Sequence, residues 1–144
     1  MAIRDATGEA AVADDSGLEV DGLDGRPGVR SARFAGDDAD DADNVALLKS
    51  LLGGWAEGDP RRKARFRCAI VLAMADGTEW VADGAVEGRI VADPRGSAGF
   101  GYDPVFVPDE GDGRTFAEMS GNEKHAISHR GRALRALAVQ LGAV

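Results

Sequence analysis

The chain has 144 residues, with 17 Lys and Arg against 25 Asp and Glu for a formal charge of −8. That length fits one domain with one real core rather than two, and 44% apolar with 29% charged residues excludes wholesale disorder. The acidic balance excludes a general attraction to nucleic acid or anionic membranes, so any bound anion needs a local basic cluster, a metal ion or a helix N-terminus.

Met1 to Thr7 reads as the last turns of a helix stopped by Gly8. The start carries Asp5, Glu9, Asp14, Asp15 and Glu19 without a long apolar run, so it does not read as a signal peptide. Ala10 to Ala13 is predicted as a short buried strand that ends at Asp14-Asp15-Ser16-Gly17. Leu18, Val20 and Leu23 alternate loosely up to a loop at Gly25-Arg26-Pro27-Gly28, and Ser31 to Gly36 is extended or looped. Five aspartates between Asp37 and Asp43 suit the solvated, positive start of a helix. Its body places Val45, Leu48 and Leu52 on one face and stops at Gly53-Gly54.

Arg61 to Arg67 carries five cations and reads as the solvated entry to a strand. Phe66, Cys68, Ile70, Leu72 and Met74 alternate along that strand. Cys68 is the single cysteine and allows no intrachain disulfide. The longest apolar run, Cys68 to Ala75, has eight residues and is too short to span a membrane. Asp76-Gly77 is a hairpin signal, and Trp80 to Ile90 continues as one strand or two. A Gly-rich loop from Pro94 to Gly101 leads into a predicted strand, Tyr102 to Pro108. Ser120-Gly121-Asn122-Glu123 fits a capping box for a short helix that carries Lys124. Ser128 caps a last helix that buries Ala133, Leu134, Leu137, Ala138 and Leu141. The mixture argues an α/β or α+β fold in one domain over residues 1–144. The single cysteine, the start unlike a signal peptide and the short apolar run read as a soluble cytoplasmic protein.

Three stretches carry chemistry. Asp14-Asp15-Ser16-Gly17 puts paired carboxylates where open α/β sheets bind ligands, suited to Mg²⁺ or to orienting a water; four turn formers also make a plain turn. Gly99-Phe100-Gly101-Tyr102-Asp103-Pro104 offers a ring for stacking and a carboxylate for a ring N–H, or else a tight bend with Phe100 in the core. Lys124 with Ser128-His129-Arg130 concentrates donors for carbonyl or phosphate oxygens, or else forms an exposed basic helix start. Cys68, His125 and His129 make no zinc spacing, and no Walker-type loop is present.

Together, "VADDSGLEVDGLDGRPGVRSARFAG" at 12–36, "GFGYDPVFVP" at 99–108 and "EKHAISHRGRAL" at 123–134 closely resemble the inosine/xanthosine triphosphate pyrophosphatase family. The resemblance covers almost the whole chain. It implies an elongated mixed β-sheet flanked by helices, two lobes around a central cleft, and a homodimer. It implies Mg²⁺-dependent hydrolysis of the purine nucleoside triphosphates ITP, dITP and XTP to monophosphate and pyrophosphate. Asp15 would be the catalytic carboxylate that activates water or holds the metal, supported by Asp14, and Ser16 would contact substrate. Phe100 would stack on the base, within a substrate loop that includes Gly101 and Tyr102, and Asp103 would bond to it. Lys124, His129 and Arg130 would read the base and its 6-oxo group. The family's opening strand and Ser/Thr-x-Asn-x-x-Lys loop, its metal-binding Glu and a second phosphate-contacting Lys have no counterpart in these 144 residues. The resemblance therefore aligns the chain with the C-terminal portion of the family fold. It leaves three expectations: a pyrophosphatase with weakened activity, a purine-nucleotide-binding remnant, or a truncated gene product.

Overall fold

The computed structural model describes residues 11–142, so the helix read over Met1 to Thr7 lies outside the described residues. In chain order the elements are β1 (Ala11–Val20), β2 (Pro27–Gly28), α1 (Asp41–Leu52), β3 (Lys63–Ala73), β4 (Glu79–Ile90), β5 (Phe106–Pro108), α2 (Gly121–Ile127) and α3 (His129–Gln140). The strands form one sheet in the order β2-β1-β3-β4-β5. Where the resemblance implies a mixed sheet, each pairing among the described residues is antiparallel; the α/β class stands.

β3 and β4 follow their alternation. Ala64, Phe66, Cys68 and Ile70 are buried, and the hairpin closes with Met74 N donating to Thr78 O at 2.7 Å. β4 is one strand to Ile90. β1 departs from its reading: it runs straight through Asp14-Asp15-Ser16-Gly17, with Asp14 opposite Ile70 and Asp15 opposite Ala69. The ten-residue ladder to β3 overrides the turn preference of those four residues, because β conformation is set more by cross-strand partners than by local propensity. The strand read over Tyr102 to Pro108 shrinks to Phe106–Pro108, with a 3-10 turn at Asp103–Val105 before it. Pro104 has no N–H for a ladder, and it sits inside that turn.

The three helices cover one face of the sheet in two clusters. Leu18, Val20, Phe66 and Val86 pack with Leu48 and Leu52 of α1 and with Phe106 and Phe116. Further along the same face Cys68, Ile70 and Ala82 pack with Ala133 and Leu137 of α3. Gly84 allows α3 onto β4, since a Cβ there would collide with the His129 carbonyl and the Ala133 amide. Leu134 and Leu141, placed on the buried stripe by periodicity, are exposed instead.

The basic patch is not uniformly solvated either. Arg62 is buried and donates to three carbonyls, Trp55 at 3.0 Å, Leu52 at 2.9 Å and Ile90 at 3.2 Å. It closes the C-terminal end of α1 against β4, where a cation also complements the helix dipole. The opposite sheet face is charged: Arg65 reaches Glu19, Asp21 and Glu87 at 3.6, 3.0 and 3.0 Å. No helix among the described residues is long and apolar enough to cross a membrane.

Candidate active site

The site lies beside the first cluster, whose Leu18, Phe66 and Tyr102 line it, and β1 supplies its floor. Successive strand residues face opposite ways. Ser16 and Leu18 therefore face the helices, lining a cleft with Phe66, Phe100, Asp103, Lys124 and His129. Asp15 faces the other side and lines a second cleft with Arg67 and Asp83. Ser16 and Gly17 border both clefts and connect them. Asp14, which was expected to support a metal held by Asp15, does not face that second cleft. Its Oδ2 pairs with Arg130 Nε at 3.2 Å on the helix-covered side. The two carboxylates face opposite ways because the strand runs on through them where a turn was the alternative.

Two loops close the first cleft. Gly17 lacks a side chain because Gly28 O would lie 2.5 Å from its Cβ. Ser31 Oγ accepts from Leu18 N at 2.9 Å and donates to Gly28 O at 2.6 Å, so the loop after β2 is tied to β1. Buried Asn44 of α1 holds the same loop, donating to Ala32 O at 3.0 Å and accepting from Ala35 N at 2.9 Å. Tyr102 Oη donates to Ser31 O at 2.7 Å, and Asp41 Oδ2 accepts from Gly101 N at 2.8 Å. Burial pushes the Tyr102 phenol well above its usual range, with the nearby Asp41 charge adding to it. Gly101 and Tyr102 thus act as the frame of the loop that carries Phe100.

Asp103 is buried, and its Oδ2 accepts from Phe100 N at 3.1 Å and Lys124 Nζ at 2.6 Å. Gly99, at φ +75°, leaves room for that carboxylate. Phe100 is 62% exposed, which excludes the reading that places it in the core. Lys124 Nζ sits 4.5 Å from the centre of the Phe100 ring. His129 stacks on Phe66 with ring centres 4.9 Å apart and planes 18° from parallel. Two polar atoms here, Ser16 Oγ and His129 Nδ1, are buried without a hydrogen-bond partner.

Burial, reinforced by Arg130 and Lys124 and opposed by Asp14, pushes His129 down to about 4. The imidazole is therefore neutral near pH 7, with one donor and one acceptor nitrogen. Its ordinary value is 6.5, so between 6.5 and about 4 the unfolded chain binds a proton that the fold excludes. This contribution to stability is complete above about pH 6.5 and is lost as pH falls toward 4, amounting to about 3 kcal/mol. Thermal unfolding of His129→Gln is expected to fall less between pH 7 and pH 4.5 than that of the wild type; parallel profiles would contradict this.

Sequence reasoning missed Ser31, Asn44, Asp41 and Phe66 as parts of the site. Asn44 left a signal, since it stands four residues before Leu48 on the buried stripe of α1. Asp41 was read as a solvated helix-start residue.

The donor set for a divalent cation is sparse. No three His, Cys, Asp or Glu residues among the described ones form a metal-binding group. Asp15 and Asp83 flank Ala69 in register on the same sheet face and line the same cleft. One or two carboxylates, completed by waters and substrate phosphates, is the set that Mg²⁺ ordinarily uses. These residues fit a Mg²⁺ ion arriving with phosphates, with Asp83 in the place expected for Asp14.

A model of the Ham1 family matches residues 1–140. The chain is 58% identical to the dITP/XTP pyrophosphatase of Mycolicibacterium paratuberculosis, over 92% of this chain and 63% of that protein. It is 52% identical to the dITP/XTP pyrophosphatase of Streptomyces coelicolor, over 94% of this chain and 66% of that one. The chain thus spans slightly less than two thirds of the length of these curated relatives. The solved Ham1 protein of Staphylococcus aureus superposes with a TM-score of 0.87 at 38% identity, covering 96% of this chain and 70% of that one. A HAM1 protein from Coxiella burnetii gives 0.84 at 42% identity with the same coverages.

Proposed function

This chain belongs to the Ham1 family, and on that footing we propose that it hydrolyses deaminated purine nucleoside triphosphates, ITP, dITP and XTP, to the monophosphate and pyrophosphate. The observation that carries the reading is the pair of orphaned atoms, Ser16 Oγ and His129 Nδ1, buried at one cleft beside an exposed Phe100 ring. A buried polar atom without a partner costs about 1–3 kcal/mol, which a flat polar ligand recovers by bonding to it.

The base stacks on Phe100 and gives a ring N–H to Asp103. Lys124 and Arg130 donate to its 6-oxo group. An adenine base turns its 6-amino donor toward those cations and has no N1 hydrogen for Asp103, so it leaves groups on both sides unpaired. From the base, the path to Asp15 passes Ser16 and Gly17, which border both clefts. Asp15 takes a proton from the attacking water as the α–β anhydride bond breaks and pyrophosphate leaves. Asp15 and Asp83 would hold Mg²⁺, which when bound neutralises phosphate charge. Arg67 also lines this second cleft, although Glu19 holds it at 3.0 Å. The same reading includes a cytoplasmic location and a homodimer; the homodimer rests on the family resemblance, and light scattering measures it.

The test is pyrophosphate release from ITP and from ATP with Mg²⁺. At least about a tenfold preference for ITP is expected, the scale of rejecting a mismatched polar group. Equal rates would remove the proposed base reading.

A further inference from the structure

We propose that Asp14 is a positioning residue for purine recognition, holding the Arg130 guanidinium in a cleft that adjoins the base cleft through Phe100, Lys124 and His129. The inference rests on the function proposed above and goes beyond it, because it gives the first aspartate of the pair a role separate from the metal. Alternation along β1 puts Asp14 on the side of Ser16 and Leu18, away from Asp15. There its Oδ2 meets Arg130 Nε at 3.2 Å. Arg130 occupies the first turn of α3, where the helix dipole disfavours a cation, and it shares a cleft wall with Lys124, His125 and His129. It needs a counter-charge to stay there, and among the described residues its ion-pair partner is Asp14.

The contact is an ion pair whose nearest atoms are Arg130 Nε and Asp14 Oδ2; the guanidinium makes no hydrogen bond among the described residues, so the carboxylate fixes where the charge sits while its donors are left for a ligand oxygen. Both side chains are half-exposed, and a pair of that kind adds little to stability. Its effect falls instead on where the guanidinium points.

The test uses calorimetry with IMP and AMP in the absence of metal, the Mg²⁺ dependence of pyrophosphate release, and the Arg130 Nε chemical shift by NMR. Asp14→Ala is expected to weaken IMP about tenfold, narrow the IMP-over-AMP preference and move the Arg130 Nε signal. Asp14→Glu is expected to recover part of the loss. Arg130→Ala should lose as much as Asp14→Ala, and the double variant no more than either, as coupled neighbours do. The Mg²⁺ concentration for half-maximal rate should not move. Unchanged IMP affinity in Asp14→Ala with a raised Mg²⁺ requirement would overturn the proposal and make Asp14 a metal residue. An Arg130 Nε signal at the same shift in the wild type and in Asp14→Ala would overturn it whatever the ligand. A wild type with no preference for IMP, but with an Arg130 Nε signal that Asp14→Ala moves, would overturn the functional reading and leave the positioning of Arg130 supported.

Discussion

Asp15→Asn is expected to lower pyrophosphate release from ITP by at least about 10²-fold, the usual contribution of a positioned general base. The amide keeps the shape of the carboxylate but takes no proton from water and is a poorer ligand for a hard cation. Asp15 is exposed on the charged face of the sheet, away from both apolar clusters. A substitution there should leave stability within about 0.5 kcal/mol. IMP affinity should also hold within about twofold, because Asp15 does not line the base cleft. A variant that releases pyrophosphate at the wild-type rate would take Asp15 out of the chemistry; one that loses IMP binding would place it in base recognition instead.

The second large effect concerns Lys124. Its ammonium is the counter-charge of Asp103, whose side chain is 4% exposed. Breaking a buried ion pair by removing one partner ordinarily costs about 3–5 kcal/mol, because the remaining charge has no compensation. Lys124→Ala is expected to lose that much in denaturant unfolding and to lose IMP binding with it. Adding Asp103→Asn should return part of the stability, since the stranded charge is gone, but none of the binding. An Lys124→Ala variant as stable as the wild type would show that the pair is hydrated and that Asp103 is not committed to the cleft.

What was legible in the sequence was local. The alternation from Phe66 to Leu72 and the Ser120–Glu123 capping box need only near neighbours, and both hold as read. Ser128 caps α3 through Gly131 N at 3.0 Å, again a contact three residues away. The extent of β1 was not legible, because Asp14-Asp15-Ser16-Gly17 prefers a turn until β3 pairs with it across more than fifty residues. That single difference decides which way each aspartate faces. Arg62 looked like one more cation in a solvated patch; its burial depends on three carbonyls from α1, the segment after it and β4. The residues Phe100, Asp103, Lys124 and His129 were named from their chemistry. The second tier, Ser31, Asn44 and Asp41, holds the loops by bonds that no spacing announces.

The central proposal is that the cleft beside the first cluster reads a 6-oxo purine through Phe100, Asp103, Lys124 and His129, with Arg130 in the adjoining cleft. Its most direct test is calorimetric titration with IMP and with AMP, without metal, so that the base is the only difference between the ligands. IMP is expected to bind at least about tenfold more tightly, the scale set by one unpaired buried polar group. Equal affinity for the two nucleotides, or no heat with either, would contradict it.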